Sequence, residues 1–188
     1  MTVKSRTVKL ESPPDRRVSS GSPDNIGRPT FDLEAANHSF RWEMGMERQD
    51  VAFAIIDAFT EWENAVPKLN FQWLYPGDDA DIRIRFTSLS PPYYGFGYYP
   101  PDGRLLLDIS RTLWSTSSNP VPYKLDLQSE SMHEIGHTLG LEHTNDPASV
   151  MYPTLSSSTI KRELTQLDIN NIRALYRSKP HHELANSI

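Results

Sequence analysis

Large apolar residues alternate with polar ones in several short stretches of the chain, a pattern typical of half-buried β-strands. The alternation is strict over residues 81–86, which are Asp-Ile-Arg-Ile-Arg-Phe, and a similar stretch covers residues 39–44. Residues 69–74, 95–99 and 104–109 form shorter stretches of this kind, separated by turns rich in proline, glycine and aspartate. The pattern therefore predicts five strands.

Three other segments have the spacing of a helix. Over residues 50–66 the apolar side chains recur on one helical face, with Asp50 as the expected N-cap and Pro67 as the stop. These apolar residues are Val51, Ile55, Ala58, Phe59, Trp62 and Ala65. Further helices are predicted over residues 126–137 and 165–176.

The order of these elements defines the domain organisation. Thr165 and Asp168 have the spacing of a capping box at the start of the last helix. Residues 1–29 are rich in proline and have almost no apolar periodicity, so we expect a leader outside the core. Residues 30–178 then form one α+β domain with a mixed sheet, and residues 179–188 form a polar tail.

Composition excludes several classes of function. The chain has 188 residues and a net charge of −5, which argues against a nucleic-acid or anionic-membrane partner. No run approaches the roughly 18 apolar residues of a membrane span, and the N-terminal residues contain no apolar signal-peptide region. Because the chain has no cysteine, disulfide scaffolds, cysteine zinc modules and thiol catalysis are excluded as well.

One motif, His-Glu-Ile-Gly-His-Thr-Leu-Gly-Leu-Glu-His, begins at His133. His133 and His137 are four positions apart, so on a helix they share one face within reach of one ion. Gly140 is able to take the left-handed conformation that ends a helix, which would return His143 as a third ligand. Neutral imidazole suits Zn²⁺, and three protein ligands leave one position open, as in catalytic zinc sites. Glu134 would contact a water molecule rather than the metal.

Histidine pairs on helices are also common on protein surfaces, so surface histidines without a metal are the alternative interpretation. The five fixed positions of the eleven-residue motif arise by chance from this composition with a probability on the order of 10⁻⁵, which favours the metal site. Met151, in a Val-Met-Tyr-Pro turn after the motif, is expected to pack beneath that site. For Met151 alone, ordinary core packing is the alternative.

The sequence resembles the matrixins, the matrix-metalloproteinase branch of the metzincins, whose signature is this motif followed by a methionine turn. The likeness extends over residues 38–177, and residues 126–132, 150–155 and 163–176 resemble plant-type members in particular. The resemblance implies the zincin (metzincin) fold, a twisted five-stranded mixed sheet with three helices and a zinc cleft. It also implies a zinc endopeptidase that acts on an extended peptide or protein, with Glu134 as general base.

The same resemblance suggests substrate-binding residues. The strand beside the cleft would comprise Gly95, Phe96, Gly97, Tyr98 and Tyr99. A specificity pocket next to the zinc would be bordered by Ser129, Tyr152, Pro153 and Leu155. Because Ser129 is small, we expect a deep pocket that accepts a bulky apolar side chain. Simple packing is the alternative interpretation of the tyrosines.

The chain also departs from the family, which normally carries a structural zinc and calcium ions. Phe96 and Leu106 stand where two structural-zinc histidines are expected, and Ser110 and Arg111 where calcium-binding acids are expected. Asp108 remains, but Arg, Phe and Leu are not ligands for these ions. We therefore expect one catalytic zinc per chain, and neither calcium nor structural zinc.

A further departure concerns the leader. Residues 18–24 resemble the family's cysteine switch, with Ser20 in the position of the inhibitory cysteine. A chance turn-rich linker is an equally good interpretation of so short a segment. If the likeness is real, thiol latency has been lost, because a hydroxyl is a far weaker zinc ligand than a thiolate.

Two other functions stay open at this point. One is a non-catalytic metzincin-fold module that binds proteins, although the chain retains all three histidines and Glu134. The other is a zinc hydrolase that acts on non-peptide substrates. We expect a monomer; the family resemblance suggests an extracellular location, but this chain shows no signal peptide, so localisation stays open.

Overall fold

The computed structural model describes residues 4–11, 46–66, 69–73, 80–111 and 113–177. The helices in these ranges are α1 (Arg48–Ala65), α2 (Leu127–Thr138) and α3 (Gln166–Tyr176). The strands are β1 (Lys4–Glu11), β2 (Leu69–Trp73), β3 (Ile82–Thr87), β4 (Gly95–Gly97), β5 (Arg104–Asp108), β6 (Trp114–Ser115) and β7 (Leu125–Asp126). No helix in these ranges has both the length and the apolar sequence needed to span a bilayer.

Five of the strands form one sheet in the order β2-β1-β3-β5-β4. Neighbouring strands are parallel except for β4, which runs antiparallel to β5 with Phe96 opposite Leu106. Strands β6 and β7 form a separate parallel pair. The predicted α+β class with a mixed sheet is therefore confirmed, and the short strand β4 forms one edge of the sheet.

Strand β1 differs from the expectation that residues 1–29 lie outside the core. Lys4–Glu11 pairs in parallel with both β2 and β3, inside the sheet. Val8 and Leu10 alternate with polar residues there, a strand signal too short to stand out beside the prolines that follow. The predicted strand at residues 39–44 lies outside the described residues, and the division of the chain into leader, domain and tail stays a prediction.

Helix α1 supplies much of the core through the apolar face that its spacing predicts. Phe59 and Trp62 are almost fully buried. The Phe59 ring meets the ring of Phe71 edge-on at a centroid distance of 4.7 Å, and the Trp62 indole N–H donates to the carbonyl oxygen of Met132 at 3.0 Å. The first contact joins α1 to the sheet, and the second joins α1 to α2.

The predicted N-cap of α1, Asp50, is three residues too late. The helix begins at Arg48 with Glu47 as its N-cap, and no side chain caps it. Asp50 lies in the first turn instead, where a negative charge is favourable at the positive end of the helix dipole. An acidic residue in a first turn and an acidic N-cap look alike in sequence, which explains the error.

The other two helices begin where the sequence predicts, and the last one has its predicted cap. The Asp126 carboxylate accepts a hydrogen bond from the backbone N–H of Ser129 at 2.8 Å. Thr165 and Asp168 form the reciprocal capping box. Asp168 also accepts bonds from the Ser149 hydroxyl and, at 3.1 Å, from the Val150 amide. This buried carboxylate therefore ties the start of α3 to the turn that contains Met151.

Replacing Asp168 by asparagine should lower the free energy of unfolding by about 2–3 kcal/mol. The carboxylate accepts four hydrogen bonds in a fully buried position, and an amide nitrogen would face some of those donors. Urea denaturation followed by tryptophan fluorescence measures the change. Asp57→Asn on the exposed face of α1 is the matched control, and an equal effect of both substitutions would contradict the assigned role.

Candidate metal centre

Helix α2 and the turn after it bring three histidines together. His133 and His137 lie one helical turn apart on the same face of α2. Gly140 then takes a φ of +102°, a left-handed conformation that glycine adopts without a steric penalty. The chain reverses there, and His143 comes to lie opposite the other two imidazoles.

The three Nε2 atoms form a nearly equilateral triangle. The distance from Nε2 of His137 to Nε2 of His133 is 3.1 Å, and to Nε2 of His143 it is also 3.1 Å. The third side, between His133 and His143, measures 3.2 Å. Tetrahedral zinc with Zn–N bonds of about 2.0–2.1 Å holds its nitrogen ligands about 3.3 Å apart. The spacing therefore fits one zinc ion.

The second nitrogens of two of these rings fix the protonation state. Nδ1–H of His133 donates to the carbonyl oxygen of Val150 at 2.8 Å, and Nδ1–H of His137 donates to that of Leu141 at 2.8 Å. A carbonyl only accepts, so the proton sits on Nδ1 and the Nε2 lone pair faces the centre of the triangle. Lone pairs this close repel one another unless a cation lies between them.

Burial favours the metal-binding form of the histidines. It lowers the pKa of His133 to about 4 and also lowers the pKa of His137. Both rings are therefore neutral near pH 7, as metal ligation requires. His143 is exposed, so the centre is open on that side, which is typical of catalytic rather than structural zinc.

Glu134, beside the first histidine, has the surroundings of a base. Its side chain is buried, and its Oε2 accepts a hydrogen bond from the backbone N–H of Gly97 in strand β4. Burial raises the pKa of Glu134 well above its ordinary value, and the nearby carboxyl of Glu130 raises it further, while the Gly97 amide opposes both. A carboxylate with a raised pKa accepts a proton more readily near neutral pH.

Two glycines allow β4 to lie directly against α2. A Cβ atom on Gly95 would lie 2.7 Å from Cγ of Glu134, and one on Gly97 would lie 2.2 Å from the Glu134 carbonyl oxygen. A side chain at Gly97 would therefore collide with helix backbone, which is unable to move aside. The glycines set the distance between the edge strand and the carboxylate.

The other residues of the predicted substrate strand divide between its two faces. Phe96 lies between the glycines and points away from α2, with its ring against Tyr98 at 4.8 Å and 41% of the residue exposed. Tyr99 lies on the metal side, where its ring centroid is 5.4 Å from that of His137. The structure thus brings Gly95, Gly97 and Tyr99 to the centre, but not the side chains of Phe96 and Tyr98.

Met151 packs against helix α2 at Gly136, the residue before His137. It is almost fully buried, and a Cβ atom on Gly136 would lie only 2.3 Å from its Sδ. Its carbonyl oxygen accepts from the amide of Thr144 at 2.9 Å, directly after His143. The turn therefore supports both the helix and the returning chain.

The predicted pocket residues are arranged differently from expectation. Ser129 is 2% exposed, and its hydroxyl donates to Asp126 and accepts from the amide of Lys161 at 2.7 Å. It thus faces the segment before α3 rather than an open pocket. The ammonium of Lys161 lies 5.1 Å from the ring centroid of Tyr152. Pro153 is exposed, and Leu155 packs against the core.

Sequence reasoning missed two residues of this region. Lys161 comes to Ser129 and Tyr152 only through tertiary folding, and no motif marks it. Glu130 precedes Glu134 by four positions, a spacing that puts both carboxyls on one helix face. That spacing is a signal that sequence reasoning could have used.

Comparisons with known proteins agree with this site. A family model described as matrixin matches residues 34–177. The chain is 34% identical over 166 residues to Metalloendoproteinase 1 of Glycine max, covering 74% of this chain and 54% of that protein. It is 32% identical over 172 residues to the macrophage metalloelastase of Oryctolagus cuniculus, covering 84% and 36% respectively.

A third relative, Metalloendoproteinase 5-MMP of Arabidopsis thaliana, is 36% identical over 140 residues, which cover 66% of this chain and 39% of that protein. The chain therefore spans about half the length of the first of these relatives and less than half of the other two. These matches confirm the resemblance to matrixins that the motif predicts.

The purified chain should hold one zinc per molecule, and His137→Ala should hold none after dialysis, because two exposed or half-buried imidazoles do not retain the ion. Metal analysis by mass spectrometry measures the ratio. His182→Ala, in the polar C-terminal sequence, is the matched control and should keep one zinc. Two zinc ions per wild-type chain, or full retention by His137→Ala, would contradict the assignment.

Proposed function

Because the chain belongs to the matrixin family, we propose that it is a zinc-dependent endopeptidase that hydrolyses peptide bonds of peptides or proteins. The observation that carries the proposal is the triangle of Nε2 atoms with a buried carboxylate, Glu134, beside it. His133, His137 and His143 would hold the zinc. The natural substrate and the cleavage preference belong to the whole protein and are not specified by this site.

Each residue of the site has a role in this reaction. Zinc, when bound, supplies a Lewis acid that polarises the scissile carbonyl and makes the attacking water more acidic. Glu134 takes the proton of that water and then passes it to the nitrogen of the leaving amine. The Gly97 amide holds the Glu134 carboxylate in place through its hydrogen bond.

Strand β4 supports the binding of an extended substrate. Among the residues that the structure describes, it ends the sheet and pairs with a neighbouring strand on one side only. A peptide that adds to the free side would form main-chain hydrogen bonds and need no particular sequence to do so. The ring of Tyr99 against His137 would border the substrate close to the scissile bond.

We propose one zinc per chain and no bound calcium. In the part of the chain that the structure describes, the three histidines are the only group of three potential ligands from His, Cys, Asp or Glu close enough to share an ion. Asp108, the acid that the family resemblance connects with calcium, already pairs with Arg111 at 2.7 Å. A guanidinium in contact with the carboxylate leaves no room for a divalent ion there.

Two other functions remain alternatives. A non-catalytic binding module has no need of Glu134 buried beside the three histidines, and the arrangement therefore supports an enzyme. A zinc hydrolase for non-peptide substrates would use the same centre, and the free edge of β4 favours peptides over it. An extracellular location, which rests on the family resemblance, and a monomeric state both stay proposals.

Glu134→Gln should keep the fold and one zinc but lose peptide hydrolysis, with kcat/KM about 10²–10⁴ lower. The amide has nearly the same shape but is unable to accept the proton. Cleavage of casein and of a fluorogenic peptide library is measured together with zinc content. Glu142→Gln, in the same motif but exposed, is the control. A fully active Glu134→Gln would refute the role, and a zinc-loaded but inactive wild type would favour the binding module.

The thermal midpoint and kcat/KM of the zinc-loaded chain should be the same with and without millimolar calcium. An ion that binds only the folded state raises stability as its concentration increases, so a calcium site would appear as a rise in the thermal midpoint of unfolding. The comparison uses a calcium-free buffer prepared with a calcium-selective resin, and magnesium at equal concentration as the control. A rise with calcium but not with magnesium would contradict the proposal.

A further inference from the structure

The loop between β3 and β4, residues 88–94, is bound to the end of β5 by one carboxylate. Asp108 is 1% exposed. Its Oδ1 accepts hydrogen bonds from the amide of Leu89 at 2.8 Å and from the hydroxyl of Ser110 at 2.7 Å. Its own amide donates to the carbonyl oxygen of Tyr94 at 2.8 Å. Asp108 therefore contacts the loop near both of its ends.

Arg111 completes this arrangement from the solvent side. Its Nε–H donates to Oδ2 of Asp108 at 2.7 Å, and another of its guanidinium nitrogens donates to the carbonyl oxygen of Tyr93. The same guanidinium lies over the ring of Tyr94, 4.5 Å from its centroid. One planar cation thus binds the carboxylate, the loop backbone and a loop side chain together.

The charge of Arg111 matters because Asp108 is buried. Burial by itself raises the pKa of a carboxyl, but hydrogen bonds from the Leu89 amide, the Ser110 hydroxyl and the Arg111 guanidinium lower the pKa of Asp108 below its ordinary value. Arg111 is the only one of these partners that carries a positive charge. Without it, a buried carboxylate would keep only neutral donors, and such a charge is costly to keep out of water.

The loop leads directly into the site. Strand β4 begins at Gly95, the residue after Tyr94, and the Gly97 amide binds Glu134. Both glycines pack tightly against α2, since a single added Cβ atom would collide at either position, so β4 is unable to lie closer to the helix. A small shift of the loop would therefore move the edge strand relative to Glu134 and to a bound peptide.

We propose that Arg111 is a positioning residue for the peptidase reaction, which holds loop 88–94 so that strand β4 stays in register beside Glu134. The proposal rests on the proposed function for its effect on catalysis. It does not involve the metal ligands, which lie on α2 and the turn after it. Loss of Arg111 should therefore loosen the loop and the edge strand while the zinc site stays intact.

Hydrogen exchange of the zinc-loaded full chain tests the structural step. Arg111→Met keeps the length of the side chain but removes its charge and donors, and amides of residues 88–97 should then exchange faster than in the wild type. Arg111→Lys keeps the charge but not the forked geometry, so its exchange should be intermediate. Arg173→Met is the matched control, because Arg173 binds the carbonyl oxygen of Ala65 at the C-terminal end of α1.

Two exchange results would overturn the proposal. One is unchanged exchange over residues 88–97 in Arg111→Met. The other is faster exchange throughout the chain, including α1, which would mean general destabilisation rather than local positioning. This measurement does not depend on catalysis, so it tests the positioning role of Arg111 even if the wild type hydrolyses no peptide. A wild type without peptidase activity would refute only the proposed function.

Kinetics test the consequence for the site. In Arg111→Met, kcat/KM for a peptide long enough to lie along β4 should fall about tenfold, mainly through KM, with partial recovery in Arg111→Lys. Inhibition by acetohydroxamate, a metal chelator too short to lie along β4, should stay unchanged, as should zinc content. Wild-type kinetics in Arg111→Met, or equal losses for the peptide and for acetohydroxamate binding, would overturn the proposal.

Discussion

The Nε2 atoms of three imidazoles lie within 3.2 Å of one another, with their lone pairs directed at a common centre. In two of the rings a backbone carbonyl keeps the proton on the other nitrogen, Nδ1. This arrangement is repulsive unless a cation occupies the centre, so it depends on a bound metal and on the structure that positions the three rings. The support comes from three sides: the helical spacing of α2, the left-handed glycine after it, and the turn at Met151 below. Each of these elements would be unremarkable alone, and together they specify a metal site.

The elements that hold the three histidines in place are also bonded to one another. Asp168 at the start of α3 binds the amide of Val150, and the carbonyl of Val150 orients His133. The orientation of a ligand on α2 thus depends on a capping residue of the last helix, thirty-five positions further along the chain. Removing a hydrogen bond that orients a metal ligand commonly weakens metal binding. The C-terminal helix is therefore part of the site and not only of the core.

Local signals predicted most of the fold and the centre of the site. Helical spacing, the cap at Thr165, and strict alternation over β3 each depend on a few neighbouring residues, and the structure bears them out. The side-chain direction of Phe96 and the engagement of Ser129 by Lys161 were not predictable, because they depend on contacts between distant segments. Strand β1 was missed since pairing with two neighbours, rather than a long apolar run, stabilises it.

On the proposals above, two cations of different kinds divide the work of the site. A zinc ion provides Lewis acidity, which no side chain supplies, but it is able to dissociate, so the occupancy of the site depends on the zinc concentration. A guanidinium provides only charge and directed hydrogen bonds, yet it is covalently part of the chain and stays charged at every physiological pH. Where only the position of a loop has to be maintained, as we propose at Asp108, an arginine would be sufficient, and the edge strand would then stay in place without a divalent ion. Under this proposal, the chain would need an external metal only where the chemistry requires one.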